Sequence, residues 1–227
     1  MKLVSLNLCG YSDWQSRRDK IVSFLNDINA DIVCLQEVKF DVKKGSDNQA
    51  NYLNSLLSNP YKYSNASITK FYRSSNGEPF REGLATLSRH PILNAENLAL
   101  TQAEDDKHVR IIQNLDINDK DTTVKISNVH FSNNAHSVEQ LKEVLAILDS
   151  RNEVRIIMGD FNIFDLSQVK EIYSDKYKSS ADFTKYMSYP SKTQTLDYVL
   201  LPHEHSFLSV SVQDGLSDHN ALIVDIS

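Results

Sequence analysis

Apolar and polar residues alternate in short runs along most of the chain, and the period lengthens to that of a helix in only a few places. "KLVSLN" (2–7) reads as a first strand. "SDWQSRRDKIVSFLNDI" (12–28) follows, with Trp14, Ile21, Phe24, Leu25 and Ile28 spaced for one helical face, and Ser12 with Gln15 three residues on fits a capping box. "DIVCLQE" (31–37) is an apolar run ending on Glu37, with the composition of a strand buried on both faces. A helix is expected over about 48–58. Strands are expected in "YKYSNASI", "GLATLSR", "PILNAENLAL", "HVRIIQNLDI" and "TTVKISNVHF". "SVEQLKEVLAILDS" (137–150) is the clearest helix, with Val138, Leu141, Val144, Leu145 and Leu148 as its stripe and Ser137 with Gln140 as a second capping box. "EVRIIMGD" reads as a strand, "FDLSQVKEIY" as a short helix, and "TLDYVLL", "FLSVSVQ" and "ALIVDI" as closing strands. The order β-α-β-α, a β-rich middle, α, then β again suits two mixed sheets packed face to face with helices outside. Segments 39–49 and 73–83 read as loops from their Gly, Asn, Ser and charge content.

Composition adds limits to this pattern. The 227 residues are 41% hydrophobic and 24% charged, which suits one packed domain spanning 1–227 and excludes disorder. No apolar run approaches the roughly 20 residues needed to cross a bilayer, and strand-like sequence begins at Lys2 with no leader before it, so a cytoplasmic monomer is the expectation. The net charge of -6 gives no basic face by composition and speaks against tight, sequence-independent nucleic-acid binding. Cys9 and Cys34 lie in or beside apolar runs and are expected to be free thiols.

The candidate chemistry sits where apolar runs stop. Asn7, Glu37, His130, Asp160 with Asn162, and Asp218 with His219 end strand-like segments, and Asp197 lies in another. A carboxylate beside a buried strand is costly to desolvate unless it is paired or ligated, so a recurring pattern implies ends that converge on one cleft. Strand alternation is expected to put Asp160 and Asn162 on one side, with Phe161 turned toward packing. Oxygen-rich clusters without Cys suit a hard cation, Mg²⁺ or Mn²⁺, rather than tetrahedral zinc. Arg110 is either a phosphate-facing arginine or an exposed strand arginine. His90, His108, His136, His203 and His205 read as surface or turn residues, and Arg17, Arg18 and Lys20 as a solvated helix face.

The segments "SLN" (5–7), "DIVCLQEV" (31–38), "GLATLSRHPI" (83–92), "NVHF" (128–131), "GDFN" (159–162), "LDYVLL" (196–201) and "SDHNALIVDI" (217–226) together resemble, in order, the endonuclease/exonuclease/phosphatase (DNase I-like) superfamily. The resemblance implies an α/β (α+β) fold, a four-layer α/β/β/α sandwich with the site at one edge of both sheets. It implies that Glu37 is the main metal ligand, with Asn7 beside it and Asp218 near the metal. It implies that Asp160 takes a proton from the attacking water and that Asn162 holds water or phosphate. His219, oriented by Asp197, would contact phosphoryl oxygens, and His130 would face the phosphate as a candidate proton donor to the leaving oxygen. The implied activity is a Mg²⁺-dependent phosphoesterase, a phosphodiesterase rather than a monoesterase; the alternatives are a DNA or RNA nuclease of the same superfamily and a non-catalytic binding module. Abasic-site nucleases of the superfamily carry a Trp before the Asp-Tyr strand and a Tyr-bearing segment in place of "NVHF"; "TQTLDYVLL" has no Trp and His130 fills the second place, which points away from that branch. Tyr72, Phe80, Tyr186 and Tyr189 are aromatic candidates for stacking bases.

Overall fold

Side chains on successive strand residues face opposite ways, and in the inner strands of this chain both faces are apolar because both are covered. The computed structural model describes residues 1–40, 47–73, 79–102, 104, 106–134 and 136–227, without the side chains of 72, 73, 79 and 80. Of the loops expected at 39–49 and 73–83, residues 41–46 and 74–78 lie outside the described residues, as do the rings of Tyr72 and Phe80, while 79–83 belong to a strand instead. In chain order the elements are β1 (Lys2–Asn7), α1 (Trp14–Ile28), β2 (Ile32–Lys39), α2 (Gln49–Ser55), β3 (Tyr63–Arg73), β4 (Pro79–Ser88), β5 (Ile92–Ala99), β6 (Ile111–Asp119), β7 (Thr122–His130), α3 (His136–Ser150) and β8 (Ile156–Asp160). Then come α4 (Lys170–Tyr173), β9 (Tyr177–Ser179), α5 (Ser180–Phe183), β10 (Asp197–Pro202), β11 (Phe207–Gln213) and β12 (Ala221–Ile226).

The strands form two six-stranded mixed sheets, ordered β11-β12-β1-β2-β4-β3 and β5-β6-β7-β8-β10-β9. Leu3 of β1, Ile32 and Cys34 of β2, Ile126 of β7, Met158 of β8 and Val199 of β10 meet between the sheets. The alternate residues Val4, Leu6, Val33 and Leu35 pack outward against Ile21 and Leu25 of α1 and Leu53 of α2. On the far side Val129, Ile157 and Leu200 pack against Leu141, Val144 and Leu148 of α3. The result is the expected sandwich of helices, two sheets and helices. Among the described residues no helix is long and apolar enough to cross a membrane.

The layer between the sheets turns polar toward the strand ends. Gln36 donates to Asn128 Oδ1 at 2.9 Å and to Ser5 Oγ at 3.3 Å, Asn128 Nδ2 reaches Gln113 Oε1 at 3.3 Å, and Thr86 donates to the same Gln113 oxygen at 2.8 Å. A buried network of this kind fixes how the sheets register, because each broken bond leaves a desolvated amide; among the described residues, Gln36 Oε1 alone of these amide oxygens has no partner.

Several local expectations are corrected. Asp13, not Ser12, precedes α1; its backbone is left-handed and no side chain caps the helix. The turn is held instead by Arg17, which is buried and donates to the carbonyls of Leu8, Gly10, Ser12 and Leu216, so it is a clamp rather than part of a solvated face. Ser137 lies inside α3, and Gln140 accepts from the Ser132 backbone at 2.8 Å in place of closing a capping box. The helix expected over about 48–58 is the shorter α2, capped by Asn48 accepting from Asn51 N at 2.9 Å. The "FDLSQVKEIY" segment is a 3-10 turn at Leu166–Val169 running into α4.

Gly159 has φ 146°, and a Cβ there would lie 2.0 Å from the Val129 carbonyl oxygen of the paired strand. Gly159→Ala must therefore push β7 and β8 apart or break their hydrogen bonds. The expected loss is about 3 kcal/mol or more of unfolding free energy by urea titration; an unchanged midpoint would contradict this close approach.

Candidate active site

Three strand ends stand side by side in the second sheet. Parallel pairing sets His130 of β7 opposite Asp160 of β8, and antiparallel pairing sets Asp160 opposite Asp197 of β10. In the first sheet, parallel β1 and β2 set Asn7 opposite Gln36, one residue before Glu37. The Asn7 Nδ2 donates to Asp160 Oδ2 at 3.0 Å, joining the polar ends of both sheets across the interior.

Backbone distortions aim these groups. Glu37 has φ 52° at an irregularity where the β2–β4 register shifts between Leu35 and Val38, so β2 bends outward and continues to Lys39 instead of ending at Glu37. Asn162 has φ 51°; its backbone N–H donates to Asp160 Oδ1 at 3.0 Å and its Nδ2 to the Phe131 carbonyl at 2.9 Å. The two residues are thus joined by a turn after β8 has stopped, and strand alternation is not what places them together. Phe161 does pack inward, edge-on to Phe131 at 5.2 Å and Tyr198 at 5.6 Å. Non-glycine residues in this conformation cost about 1 kcal/mol or more and collect where function holds them.

Asp160 is buried between two imidazoles, 3.6 Å from His130 Nε2 and 3.8 Å from His219 Nε2. Burial, then the Asp197 charge, push the Asp160 carboxyl well above the usual carboxylate range, against the opposing pull of His219 and of the Asn7 hydrogen bond. The His219 Nδ1 meets Asp197 Oδ2 at 2.8 Å. Burial works to discharge His219, but Asp197, Asp160 and Asp218 outweigh it and raise its pKa to about 10. Burial, then Arg110, His108 and His219, hold the pKa of His130 well below 6.5, so His130 is neutral where His219 is charged. Tyr189 covers the His219 ring at 4.7 Å between centroids. Tyr186 is not available to stack a ligand, since its hydroxyl is tied to Ser180 at 2.7 Å and to the Asp197 carbonyl at 2.9 Å.

The sign of the His219 effect follows from its raised pKa. Protonated His219 stabilises the fold fully below pH 6.5, and that contribution drains away as pH climbs to about 10. In EDTA, the stability gap between wild type and His219→Asn is expected to narrow steadily from pH 6.5 to 10; a gap independent of pH would contradict the pairing with Asp197.

At the other end of the cleft Asn7 Nδ2 also points to Glu37 Oε1 at 3.4 Å. Burial, then the Glu82 and Asp218 charges, raise the pKa of Glu37, while Asn7 and Lys39 lower it. Burial, Asp218 and Glu37 all raise the Cys9 thiol, so the exposed Asp218 and Glu37 both act on the Cys9 end of the cleft. Carboxylates crowded with like charges suit a hard divalent cation, and Glu37 and Asp218 are the residues that could hold one here. Asn7 fits less directly. Its Oδ1 accepts from Cys9 N at 2.9 Å, so ligation through that oxygen requires the amide to turn. A second grouping, Asp160, Asp197 and His219, has ligand atoms within 4.8 Å of one another. The short His219–Asp197 hydrogen bond inside it makes proton handling the better reading of that trio.

Arg110 is buried, not exposed; its Nε pairs with Asp106 Oδ2 at 2.8 Å and its NH1 reaches the His130 carbonyl at 3.3 Å. It therefore braces His130. His108 is not a surface residue. Its ring lies 6.3 Å from that of His130, its Nδ1 is 3.8 Å from Glu82 Oε1, and burial, then Arg110 and Lys70, lower its pKa to about 4. Glu82 in turn pairs with Lys39. The signal for His108 was present in "HVR", where spacing by two turns its side chain to the face used by Arg110.

The Endonuclease/Exonuclease/phosphatase family profile matches residues 4–219. No curated protein sequence matches. Among solved structures, an endonuclease/exonuclease/phosphatase family protein from Leptotrichia buccalis superposes with TM-score 0.79 at 20% identity, over 100% of this chain and 99% of its own. The human Nocturnin catalytic domain with bound sulfate gives 0.72 at 20% identity, over 100% of this chain and 94% of its own. Sphingomyelinase C from Streptomyces griseocarneus gives 0.68 at 19% identity, over 99% of this chain and 98% of its own. At these identities the likeness speaks for the fold.

Proposed function

Since the chain belongs to the endonuclease/exonuclease/phosphatase family, we propose that residues 1–227 form one catalytic domain that hydrolyses phosphodiesters with the help of Mg²⁺ or Mn²⁺. The observation that carries this reading is the buried Asp160, bonded to Asn7 at 3.0 Å and flanked by two imidazoles, His130 Nε2 at 3.6 Å and His219 Nε2 at 3.8 Å. A divalent cation held by Glu37 and Asp218, with Asn7 beside it, would neutralise phosphate charge and acidify a bound water. Asp160, with its raised pKa, is matched to accept the proton of the attacking water near neutral pH. Asn162 orients that water or a phosphate oxygen. Charged His219, fixed by Asp197, faces the non-bridging oxygens and is the proton source for the leaving oxygen. Neutral His130, braced by Arg110, offers a hydrogen bond to phosphate rather than a proton. The charge difference between the histidines exchanges the proton-donor role that the resemblance suggested for His130.

The reading is tested by a substrate panel of bis(4-nitrophenyl) phosphate, plasmid DNA, an oligoribonucleotide, sphingomyelin and inositol phosphates, each with Mg²⁺ or Mn²⁺ and with EDTA. Metal-dependent turnover of diesters above monoesters is expected. Steep loss of affinity with salt on the polymers alone would favour the nuclease alternative, and no turnover of any substrate would leave a binding module.

A further inference from the structure

The paired strands β7 and β8 end on His130 and Asp160, and the loops that follow them run on as the two walls of a groove with a volume of about 500 Å³. Asn162, whose backbone N–H is bonded to Asp160, lines it, so the groove lies beside the catalytic cleft. Asn133 stands on one wall, and Phe164 and Gln168 on the other, all exposed. Phe164 is 61% exposed, a large uncovered ring beside a reaction centre. Among the described residues no Lys or Arg lines the groove, and the one lining carboxylate, Asp165, is occupied by Ser167 and Gln168. The walls therefore suit neither a phosphate nor an ammonium head group. They offer one aromatic face and several neutral amides, the complement of a flat, uncharged group rich in hydrogen-bonding edges, in a space of the usual size for a small-molecule site.

We propose that this groove is a nucleoside subsite, in which the base lies against Phe164 and its edge and sugar hydroxyls meet Asn133 and Gln168, while the attached phosphodiester occupies the Asp160–His219 cleft. The preferred substrate is then a short nucleotide diester. A net charge of -6 and uncharged walls offer little to a long polyanion. The assignment rests on the phosphodiesterase reading, which it narrows to one substrate class.

The test compares two diesters with the same leaving group, thymidine 5'-(4-nitrophenyl) phosphate and methyl 4-nitrophenyl phosphate, on the Mg²⁺-supplied protein. The thymidine ester is expected to show at least a tenfold higher kcat/KM. Phe164→Ala should lower that value about tenfold, mainly through KM, as lost stacking predicts, and should change the methyl ester less than twofold. Equal kcat/KM for the two esters, or equal losses in Phe164→Ala, would overturn the subsite. If neither ester is hydrolysed, the catalytic reading fails and calorimetry decides the subsite by itself. Thymidine 5'-monophosphate bound about tenfold more weakly by Phe164→Ala supports it, and absent or unaltered binding overturns it.

Discussion

Asp160→Asn is expected to lower phosphodiester turnover by about a thousandfold while raising the thermal midpoint of the metal-free protein. Both effects have one cause. Burial and Asp197 oppose ionisation of Asp160, which suits the carboxylate to the proposed role of base and makes its charge a burden on the fold. Because the folded-state pKa is raised, that burden is absent at low pH and grows once pH passes the unfolded value of about 3.9. The stabilisation from Asn should accordingly be larger at pH 7 than at pH 4. Steady-state rates and thermal unfolding in EDTA at the two pH values check the pair of claims. A variant that is inactive but also less stable would mean that Asp160 is a structural anchor.

Glu37→Gln is the second large effect. Glu37 is held in a left-handed bulge by the β2–β4 pairing, close to Asn7 and in the field of Asp218 and Glu82. Glutamine keeps the shape and the reach to Asn7 but removes the charge that a divalent cation requires. Turnover at limiting Mg²⁺ should fall on the order of a thousandfold, with partial recovery at high Mg²⁺ as weakened binding is saturated. A loss that no metal concentration relieves would assign Glu37 to the chemistry instead of to ion binding.

How far such a site can be read from sequence depends on what sets each position. Strands with both faces covered declare themselves as apolar runs, and β1 and β12 begin and end where their runs do, while the edge strand β11 shows as an alternating run with the expected bounds. The polar residues that close such runs were legible for the same reason: Asn7, His130 and Asp160 each terminate one. The backbone that aims them was not. A left-handed glutamate or asparagine leaves no mark in sequence when no glycine stands there, so the bulge at Glu37 and the turn at Asn162 were invisible. Capping boxes failed where a distant group supplied the bonds. Arg17 took over the turn before α1, and Gln140 reached back to Ser132. The spacing in "HVR" puts His108 and Arg110 on one face, but that Asp106 and Glu82 cover this face is a tertiary contact that periodicity does not carry.

The central proposal is that the partly buried Glu37 and the exposed Asp218, at the convergent sheet ends, hold a divalent cation beside Asp160. Calorimetric titration of Mg²⁺ or Mn²⁺ into wild type and Glu37→Gln tests it most directly. Saturable binding to wild type that is lost or greatly weakened in Glu37→Gln is the predicted result; no binding to wild type, or undiminished binding in the variant, would contradict it.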